Sequence, residues 1–505
     1  MNATQQLTRL EPGMIIPLGG DRFTKVGADL AAAFRPGDRL YFVQDTGALL
    51  HVPDAVHQAV TTQVDAATRA FEQLRSTGRE QIRVFYRAFA ANLAASWPQI
   101  AAANADDEHR ARAAGRSTTR LVVSDKVRDE MIAGLEGWAG LIESELAAGA
   151  SDEIAHVDHG DWSVSVVTAP LGVIGFVFEG RPNVFADAAG VLATGNTAVL
   201  RIGSDALATA QAICQTSLDP ALEQAGLPAG TISLIPVRER SAGWALFSDR
   251  RLALAVVRGS GRAVTELSAV ARQSGIPVSA HGTGGAWMVA DTSADPDRLK
   301  AAVRHSLDRK VCNTLNVAVI TADRAAELIP VLMEAADRAA AVRGGRARLH
   351  IASGSEHWLP ADAFTTTIEV KRAEGAVFEP RATVIPVDQL GTEWEWEDTP
   401  EISILVVDDL AEAAGLFNAH SPHFVASLIA EHPAAHKRFR ALVDAPFVGD
   451  GFTRWVDGQY ALNQPELGLS NWERGRLLGR GGVLTGADLT TRRLVAHHDN
   501  PQQHR

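Results

Sequence analysis

The stretch APLGVIGFVFEGRPN, residues 169–183, decides the fold because it forms an apolar strand pattern interrupted by two glycines. Gly172 and Gly175 would remove side chains that obstruct a bound dinucleotide, but glycines in a strand can equally mark a bulge. Both interpretations stay open at this point. Strand and helix patterns then alternate through TAVLRI, TISLIPV, LALAVVRG and PVSAHG. This alternation predicts a doubly wound, mostly parallel α/β sheet.

The regions around this stretch divide the chain into several parts. Residues 1–60 contain short apolar runs between Pro-Gly and Gly-Gly turns, which predict a small β-rich extension. Residues 61–280 begin with helical spacing and continue with alternating strands and helices, which predict a first doubly wound α/β domain. Residues 281–446 repeat the alternation and predict a second doubly wound α/β domain. We expect residues 447–505, rich in Gly and Arg, to pack back on the first domain or on a partner subunit.

Composition narrows the functional class. The chain has 505 residues, 46% of them apolar, and a formal net charge of −12, which argues against a nucleic-acid-binding surface. The N-terminus lacks a basic segment followed by an apolar run, so neither an export signal nor a membrane span is expected. With 2 cysteines, the chain has no disulfide framework or cysteine-based zinc cluster, which favours a reducing compartment. We therefore expect a cytoplasmic protein.

Cys312 is the candidate nucleophile. It follows a predicted helix in the segment DRKVCNTLN, where Arg309 and Lys310 would favour the reactive thiolate. Local sequence alone favours the alternative, a small buried apolar residue. The other cysteine, Cys214, lies in the periodic segment ALATAQAICQTSL and fits that alternative much better.

Two loops after predicted strands could bind a dinucleotide. In TGNTAVLRIGSDA, Arg201 precedes a Gly203-Ser204 turn that opens a helix, so Arg201 could pair with a phosphate or ribose and Ser204 could cap the helix. In VRGSGRAV, Gly259 and Ser260 begin another helix, whose backbone N–H groups could receive a pyrophosphate. The chain has neither a P-loop nor G-x-G-x-x-G, and its histidines lack metal-binding spacing, so no metal is predicted.

Together these segments resemble the aldehyde dehydrogenase superfamily and, within it, the γ-glutamyl phosphate reductases (glutamate-5-semialdehyde dehydrogenases) of proline biosynthesis. Residues 170–190 are similar to that family's P-L-G-V-I-G-x-x-[YF]-E-[AS]-R-P-N-V segment, and residues 195–206 to its G-N-A-[VI]-[IL]-L-R-G-G segment. GLPAG, RGSG, IPV and VCNTLN follow in the family's order. The similarity extends over residues 65–495, and we expect the first sixty residues to have no counterpart.

The resemblance implies an aldehyde dehydrogenase-like fold and roles for individual residues. Cys312 would be the nucleophile, and Asn183, beside Arg181, would lie near the oxyanion. The implied cofactor is NADP(H), with Arg201, Gly203 and Ser204 on its adenosine side and Gly259 and Ser260 at its pyrophosphate. The implied substrate-binding residues are Arg181, Asn313, Thr453, Arg454 and Glu466.

One departure from the superfamily indicates the direction of the chemistry. Enzymes that oxidise aldehydes to acids carry a water-activating glutamate where this chain has Ser279 or Ala280. A thioester on Cys312 would therefore persist for phosphate or another acceptor. That pattern favours reduction of an acyl phosphate: the thiolate displaces phosphate, and NADPH reduces the resulting thioester to an aldehyde.

Other departures concern the substrate. Asn316 replaces a glutamate that commonly follows the cysteine motif, and the segment around Thr453, Arg454 and Glu466 differs from the family's N-A-S-T-R-F and F-G-L-G-A-E. Such changes predict a shifted acyl specificity. The acidic segment EWEWED, which contains Trp394 and Trp396, is expected to be a surface loop, and no role is assigned to it.

The leading hypothesis is an NADPH-dependent reductase of γ-glutamyl phosphate or a related amino-acyl phosphate. A second hypothesis keeps the catalysis but takes the acyl group from CoA, a carrier protein or an adenylate. A third is a regulatory or binding protein that has lost turnover, with the N-terminal extension docking a kinase or carrier partner. The resemblance also implies that residues 61–280 form the NAD(P)-binding domain. It further implies a homodimer or homotetramer assembled through a β-hairpin arm, for which residues 150–168 are the candidate.

Overall fold

The computed structural model describes residues 6–502, except for positions 45, 117, 119, 120, 150, 179, 181, 183, 373, 374, 457–460, 463–465, 472–481 and 485–487. The chain forms two compact units. Unit 1 consists of Met1–Ala280, Gln464–Gly468 and Val483–Arg505, and unit 2 of His281–Asn463 and Leu469–Gly482. Within the described residues, no helix combines the length and apolar composition needed to cross a membrane.

The described strands are numbered in chain order. They are β1 (Ile15–Gly19), β2 (Arg22–Lys25), β3 (Arg39–Phe42), β4 (Leu49–Val52), β5 (Glu153–Asp158), β6 (Trp162–Pro170), β7 (Val173–Val177), β8 (Thr197–Arg201), β9 (Ile232–Leu234), β10 (Leu252–Arg258), β11 (Val278–His281), β12 (Ala286–Ala290), β13 (Leu315–Thr321), β14 (Arg348–Ala352), β15 (Thr367–Arg372), β16 (Gly375–Pro380), β17 (Ala382–Ile385), β18 (Glu401–Val407), β19 (Val425–Ile429), β20 (Phe447–Gly449), β21 (Gly468–Ser470), β22 (Gly482–Leu484) and β23 (Thr490–His498).

The described α-helices are numbered in the same way. They are α1 (Ala28–Ala33), α2 (Asp54–Leu74), α3 (Arg79–Ala95), α4 (Trp97–Ala113), α5 (Asp125–Ala147), α6 (Val184–Ala189), α7 (Leu207–Ile213), α8 (Asp219–Gln224), α9 (Ser241–Phe247), α10 (Gly261–Gln273), α11 (Pro296–Ser306), α12 (Ala322–Ala341), α13 (Asp362–Thr365), α14 (Leu410–His420) and α15 (Pro433–Leu442).

Unit 1 is built on a five-stranded sheet with the order β11-β10-β7-β8-β9. The pairs β10–β7, β7–β8 and β8–β9 are all parallel. The β7 strand is buried at every position, because helices cover both faces of a doubly wound sheet. The helical spacing expected between residues 55 and 148 corresponds to α2, α3, α4 and α5. The α/β class with parallel sheets predicted from the sequence is therefore present.

The N-terminal extension consists of two small antiparallel hairpins, β1–β2 and β3–β4, with α1 between them. Leu10, Val26 and Phe34 form a separate small apolar cluster. Val43 and Leu50, by contrast, are buried in the main core of unit 1 together with residues of its five-stranded sheet. The second hairpin is therefore an integral part of this unit.

Unit 2 is built on a seven-stranded sheet with the order β17-β14-β18-β13-β12-β19-β20. The neighbouring strands of this sheet are paired in parallel throughout. In β12, Met288 and Ala290 enter the apolar core on one face, and Trp287 and Val289 enter the core on the other. Burial on both faces explains why this strand pattern is continuously apolar rather than alternating.

A three-stranded sheet is separate from the two large sheets. The expected hairpin arm is formed by β5 and β6, and β23 pairs with β6 to make a three-stranded antiparallel sheet. The expectation that residues 447–505 pack back together on the first domain needs correction. The part up to Asn463 belongs to unit 2, where β20 extends the seven-stranded sheet, and only Gln464–Gly468 and Val483–Arg505 belong to unit 1.

Candidate functional site

Unit 1 contains a cleft of about 380 Å³ at the carboxyl ends of β7, β8 and β10. From β7 the chain continues through β8 to β9 on one side of the sheet, whereas β10 and β11 extend it on the other. The neighbouring strands β7 and β10 therefore flank the point at which the strand order reverses. In open α/β sheets this switch point is where ligands bind.

The two glycines of the opening stretch do not line this cleft. A Cβ on Gly175 would lie 2.5 Å from Leu252 Cδ1, so its absence allows close packing against the beginning of β10. Gly172 has a φ of +142° and donates its N–H to Asn196 Oδ1 at 2.8 Å. Gly175 therefore serves the close packing of neighbouring strands, and Gly172 a backbone conformation that favours glycine.

The five residues expected to bind the cofactor all line the cleft: Arg201, Gly203, Ser204, Gly259 and Ser260. The expected cap by Ser204 is absent, because the N-cap positions of the short 3₁₀ turn and of α7 are Gly203 and Ala206. Ser260 is the N-cap of α10, and its side chain makes no capping bond. The N-terminus of this 13-residue helix therefore opens on the cleft and favours negative charge.

Arginines make the cleft basic. Arg201 Nε is buried and has no hydrogen-bond partner within the described part of the chain. Burial, and secondarily the positive charge of Arg240, lower the pKa of Arg201. Arg238 donates to the Ser204 carbonyl oxygen at 3.0 Å, and Arg240 lies 3.7 Å from Glu266. A buried guanidinium with unused donor capacity fits an anionic ligand such as a phosphate.

Sequence reasoning missed Arg238 and Arg240. They belong to the segment PVRERS, which directly follows β9. Loops after parallel strands meet at one edge of a sheet, so this segment could have been grouped with Arg201 from the topology alone. Glu466, expected to bind substrate, instead forms an ion pair with Arg258 on the wall of this cleft.

In unit 2, Cys312 lies half-buried in the loop between α11 and β13. The Gly285 N–H donates to the Cys312 carbonyl oxygen at 2.7 Å. A Cβ on Gly284 would stand 2.6 Å from that oxygen and 2.9 Å from the Cys312 Cβ. The turn at residues 282–285 therefore lies flush against the cysteine, and only glycine fits at position 284.

A buried ion pair lies beside this contact. Lys310 Nζ is 2.5 Å from Glu393 Oε1, and their side chains are 8% and 17% exposed. The other carboxylate oxygen, Glu393 Oε2, accepts the Gly284 N–H at 2.6 Å. Lys310 was expected to favour the Cys312 thiolate, but its charge is matched directly by this carboxylate. Glu393 thereby joins the cysteine loop to the glycine turn.

The segment that carries Glu393 is anchored from both sides by Asn316. The Asn316 side chain donates to the Thr392 carbonyl oxygen at 2.8 Å and accepts the Trp394 N–H at 3.0 Å. The Trp394 ring stacks on His350 with 3.6 Å between centroids, and Trp396 is only 6% exposed. The segment is therefore a surface loop at Glu395 and Glu397, which are exposed, and is anchored to unit 2 through Trp394 and Trp396.

The C-terminal part of unit 2 holds the cysteine loop from another side. Thr453 donates its hydroxyl to the Asn313 carbonyl oxygen at 2.6 Å. Arg454 Nε donates to Asp308 at 2.7 Å, and a second Arg454 nitrogen donates to the Asn313 side chain. Asn313, Thr453 and Arg454 were expected to bind substrate. The side chains of Thr453 and Arg454 brace the cysteine loop. Substrate binding by these three residues stays a prediction.

Five further residues considered in the sequence analysis are Arg181, Asn183, Ser279, Ala280 and Cys214. Arg181 and Asn183 lie outside the described residues. Ser279 and Ala280, at the position of the superfamily's water-activating glutamate, are both buried in β11. Cys214 lies in a π-helical turn, Cys214–Leu218, and burial raises the pKa of its thiol. Such a thiol is a poor nucleophile.

Known proteins resemble this chain in sequence. Residues 43–351 match the aldehyde dehydrogenase family, so the match begins inside the extension that was expected to have no counterpart. A protein of Afipia carboxidovorans named γ-glutamyl phosphate reductase is 30% identical, over 84% of this chain and 91% of that protein. A protein of Bradyrhizobium diazoefficiens with the same name is 28% identical, over 86% and 93%.

Solved structures resemble this chain in fold. The γ-glutamyl phosphate reductase of Thermotoga maritima superposes with a TM-score of 0.74 at 23% identity, covering 88% of this chain and all of that one. An acetylating aldehyde dehydrogenase of Geobacillus thermoglucosidasius gives a TM-score of 0.58 at 14% identity, covering 89% and 99%. The chain is therefore an oxidoreductase that belongs to the aldehyde dehydrogenase family and, within it, to the γ-glutamyl phosphate reductases.

Proposed function

We propose that this protein reduces an acyl phosphate, γ-glutamyl phosphate or a related amino-acyl phosphate, to the corresponding aldehyde through a thioester on Cys312, with NADPH as the reductant. The observation that carries the proposal is the close contact between Cys312 and a glycine turn that has no carboxylate. The names of the relatives supply the acyl phosphate.

Cys312 would act on the activated acyl group. Its thiolate attacks the acyl carbonyl carbon, a C–S bond forms, and the C–O bond to phosphate breaks, so that inorganic phosphate leaves with the bonding electrons. Transfer of a hydride to the thioester carbon gives a thiohemiacetal. In its oxyanion form, the thiohemiacetal collapses by re-forming the C=O bond and breaking the C–S bond, which releases the aldehyde and regenerates the thiolate.

The surroundings of Cys312 explain why the thioester would be reduced rather than hydrolysed. Residues 279–285, Ser-Ala-His-Gly-Thr-Gly-Gly, include no carboxylate that could activate water. Glu393 is the carboxylate recorded next to this turn, and both its oxygens are engaged, one by Lys310 and the other by the Gly284 N–H. A carboxylate held in this way is a poor general base.

The cleft of unit 1 would hold the cofactor. Its residues fit a dinucleotide, because the N-terminus of α10 suits a pyrophosphate and the buried Arg201 Nε has unused donor capacity. Bound there, NADPH supplies the hydride. Arg201, Arg238 and Arg240 together would favour the extra phosphate of NADP(H) over the bare ribose of NAD(H).

The three-stranded arm would join copies of the chain. By register, Val157 pairs with Val164, and Leu494 with Val166, which places these apolar side chains on one face. Leu494 is 74% exposed and Val157 is 49% exposed. Burial of this face against a second copy would remove the apolar surface from water. We propose a homodimer or homotetramer on this basis.

The test is the reverse reaction, which avoids the need for an acyl phosphate as the starting substrate. Purified protein receives glutamate 5-semialdehyde and NADP, and NADPH formation is followed with phosphate, with CoA or with neither. We expect turnover that requires phosphate. Turnover only with CoA would assign the acyl group to CoA, and turnover with neither acceptor would indicate hydrolysis.

Two cysteine variants test the covalent step. Cys312→Ala is expected to abolish turnover, whereas Cys214→Ala, the matched control at a buried thiol, is expected to retain it. Persistence of turnover in Cys312→Ala would refute the thioester. A protein that binds NADPH tightly but gives no turnover with any acceptor would instead support the regulatory hypothesis.

A further inference from the structure

We infer that Glu393 is a positioning residue for Cys312, acting as a clamp that holds the cysteine loop against the glycine turn. This inference rests on the proposed role of Cys312 as nucleophile. It assigns a function to a segment whose acidic composition had predicted only a solvated surface.

The clamp consists of two contacts, one made by each carboxylate oxygen of Glu393. Oε1 lies 2.5 Å from Lys310 Nζ, two residues before Cys312. Oε2 accepts the Gly284 N–H at 2.6 Å, and Gly284 packs directly on the Cys312 backbone. A single side chain therefore links the two segments whose contact sets the place of the thiol.

The clamp is itself held in place. Asn316 bonds to the backbone of Thr392 and of Trp394, the two neighbours of Glu393 in the chain. Trp394 is further anchored by a 2.9 Å hydrogen bond from its indole N–H to Ser403 and by stacking on His350. The carboxylate thus projects from a backbone fixed on both sides, as preorganisation of a reactive group requires.

Low exposure makes the ion pair specific. With the Lys310 side chain 8% exposed, loss of its partner would leave an ammonium group without a matched charge in a poorly solvated place. Glu395 offers no substitute, because it lies 3.8 Å from Lys310 and is 66% exposed. A contact of that kind is weak and screened. Glu393 and Lys310 should consequently act as one unit.

The experiment measures steady-state kinetics of Glu393→Gln, Lys310→Met and the double variant, with Glu395→Gln as the matched control. Glu393→Gln keeps an oxygen for the Gly284 N–H but removes the ion pair. Glu393→Ala, measured in the same way, removes both contacts. We expect kcat to fall by about 10²-fold in Glu393→Ala and by less in Glu393→Gln, because a displaced nucleophile slows the reaction itself. KM for the acyl substrate should change little.

Coupling between the variants provides a readout that a general loss of stability would not give. The double variant should be no slower than the slower single variant, since both remove the same pair. Multiplying effects, or an unchanged kcat in Glu393→Ala, would overturn the inference. So would a loss confined to cofactor affinity, measured by calorimetric titration with NADPH, because it would make Glu393 a cofactor contact instead.

Limited proteolysis tests the loop directly, without turnover. Arg309 is exposed and lies in the loop, so trypsin cleavage after it reports whether the loop opens. We expect faster cleavage in Glu393→Ala than in the parent protein or in Glu395→Gln, and equal rates would contradict the clamp. If Cys312→Ala retained turnover, the proposed function would fail whatever the result for Glu393, so the two failures are distinguishable.

Discussion

Gly284 lies so close to Cys312 that a Cβ added to it would stand 2.6 Å from the Cys312 carbonyl oxygen. The obstacle is backbone, which cannot turn aside as a long side chain can. Gly284→Ala must therefore push the cysteine loop away from the turn. We expect kcat to fall by about 10²-fold while the cofactor affinity of unit 1 is unchanged, as measured by kinetics and by calorimetric titration with NADPH.

Gly415→Ala is the matched control for this change. Gly415 lies in α14, and nothing stands within 4 Å of a Cβ added there. This substitution should leave kcat unchanged and stabilise the helix by about 0.5–1 kcal/mol. A Gly284→Ala protein as active as Gly415→Ala would show that the contact has no role in catalysis.

The sequence predicted the α/β class, the position of the cysteine loop and the loops that line the cleft, because each depends on local pattern and strand order. It did not predict the clamp. EWEWED has the composition of a solvated loop, and the buried state of Glu393 depends on Lys310, 83 residues away. Composition records a charge but not its distant partner, and the partner decides whether the charge can be buried.

The hydrogen bonds by which Arg454 holds the cysteine loop were not predicted, for a similar reason. A family motif identified Arg454 as a residue near the substrate, yet its guanidinium donates to Asp308 and Asn313. These partners lie about 140 positions earlier in the chain, as the separations of 146 and 141 residues show. Only the folded arrangement reveals that the residue holds the loop of the nucleophile.

Arginines in the cleft should decide the choice between NADPH and NADH. Arg201→Ala and Arg238→Ala are each expected to raise KM for NADPH by about tenfold or more, because a charge-assisted hydrogen bond to phosphate contributes about 2 kcal/mol. KM for NADH should change much less. Arg250→Ala, an exposed arginine outside the cleft, is the control. Equal effects on both cofactors would contradict the assignment of these arginines to the extra phosphate.

A substitution on the three-stranded arm should prevent the association of copies without unfolding the chain. Leu494→Glu places a charge on the exposed apolar face of the three-stranded sheet, and the cost of burying it should prevent association. Light scattering should show a smaller mass than for the parent protein. Arg493→Glu also places an acid on an exposed position of β23, but on the opposite face of the sheet, and tests whether charge alone has this effect. Equal masses for the parent and Leu494→Glu would exclude this face as the interface.

Glu401 should make unit 2 sensitive to acid. It is buried and accepts hydrogen bonds from Arg348 at 2.8 Å, His350 at 3.0 Å and Arg372 at 2.5 Å. Burial acts to raise its pKa, but these donors outweigh burial and hold the pKa at about 2, below the ordinary 4.5. The stabilisation is therefore complete above pH 4.5 and is lost as the pH falls from there toward 2.

His350 adds to the same trend, because burial lowers its pKa below the ordinary 6.5 and its protonation in acid favours unfolding. We expect the urea midpoint of the parent protein to fall steeply between about pH 5 and about pH 3. Glu401→Gln should lower stability at neutral pH by about 3 kcal/mol, since it leaves the arginines without a buried partner, and should flatten the acid dependence. Glu369→Gln, at an exposed position of β15, should retain the steep dependence. An equally steep dependence in Glu401→Gln would place the acid sensitivity elsewhere.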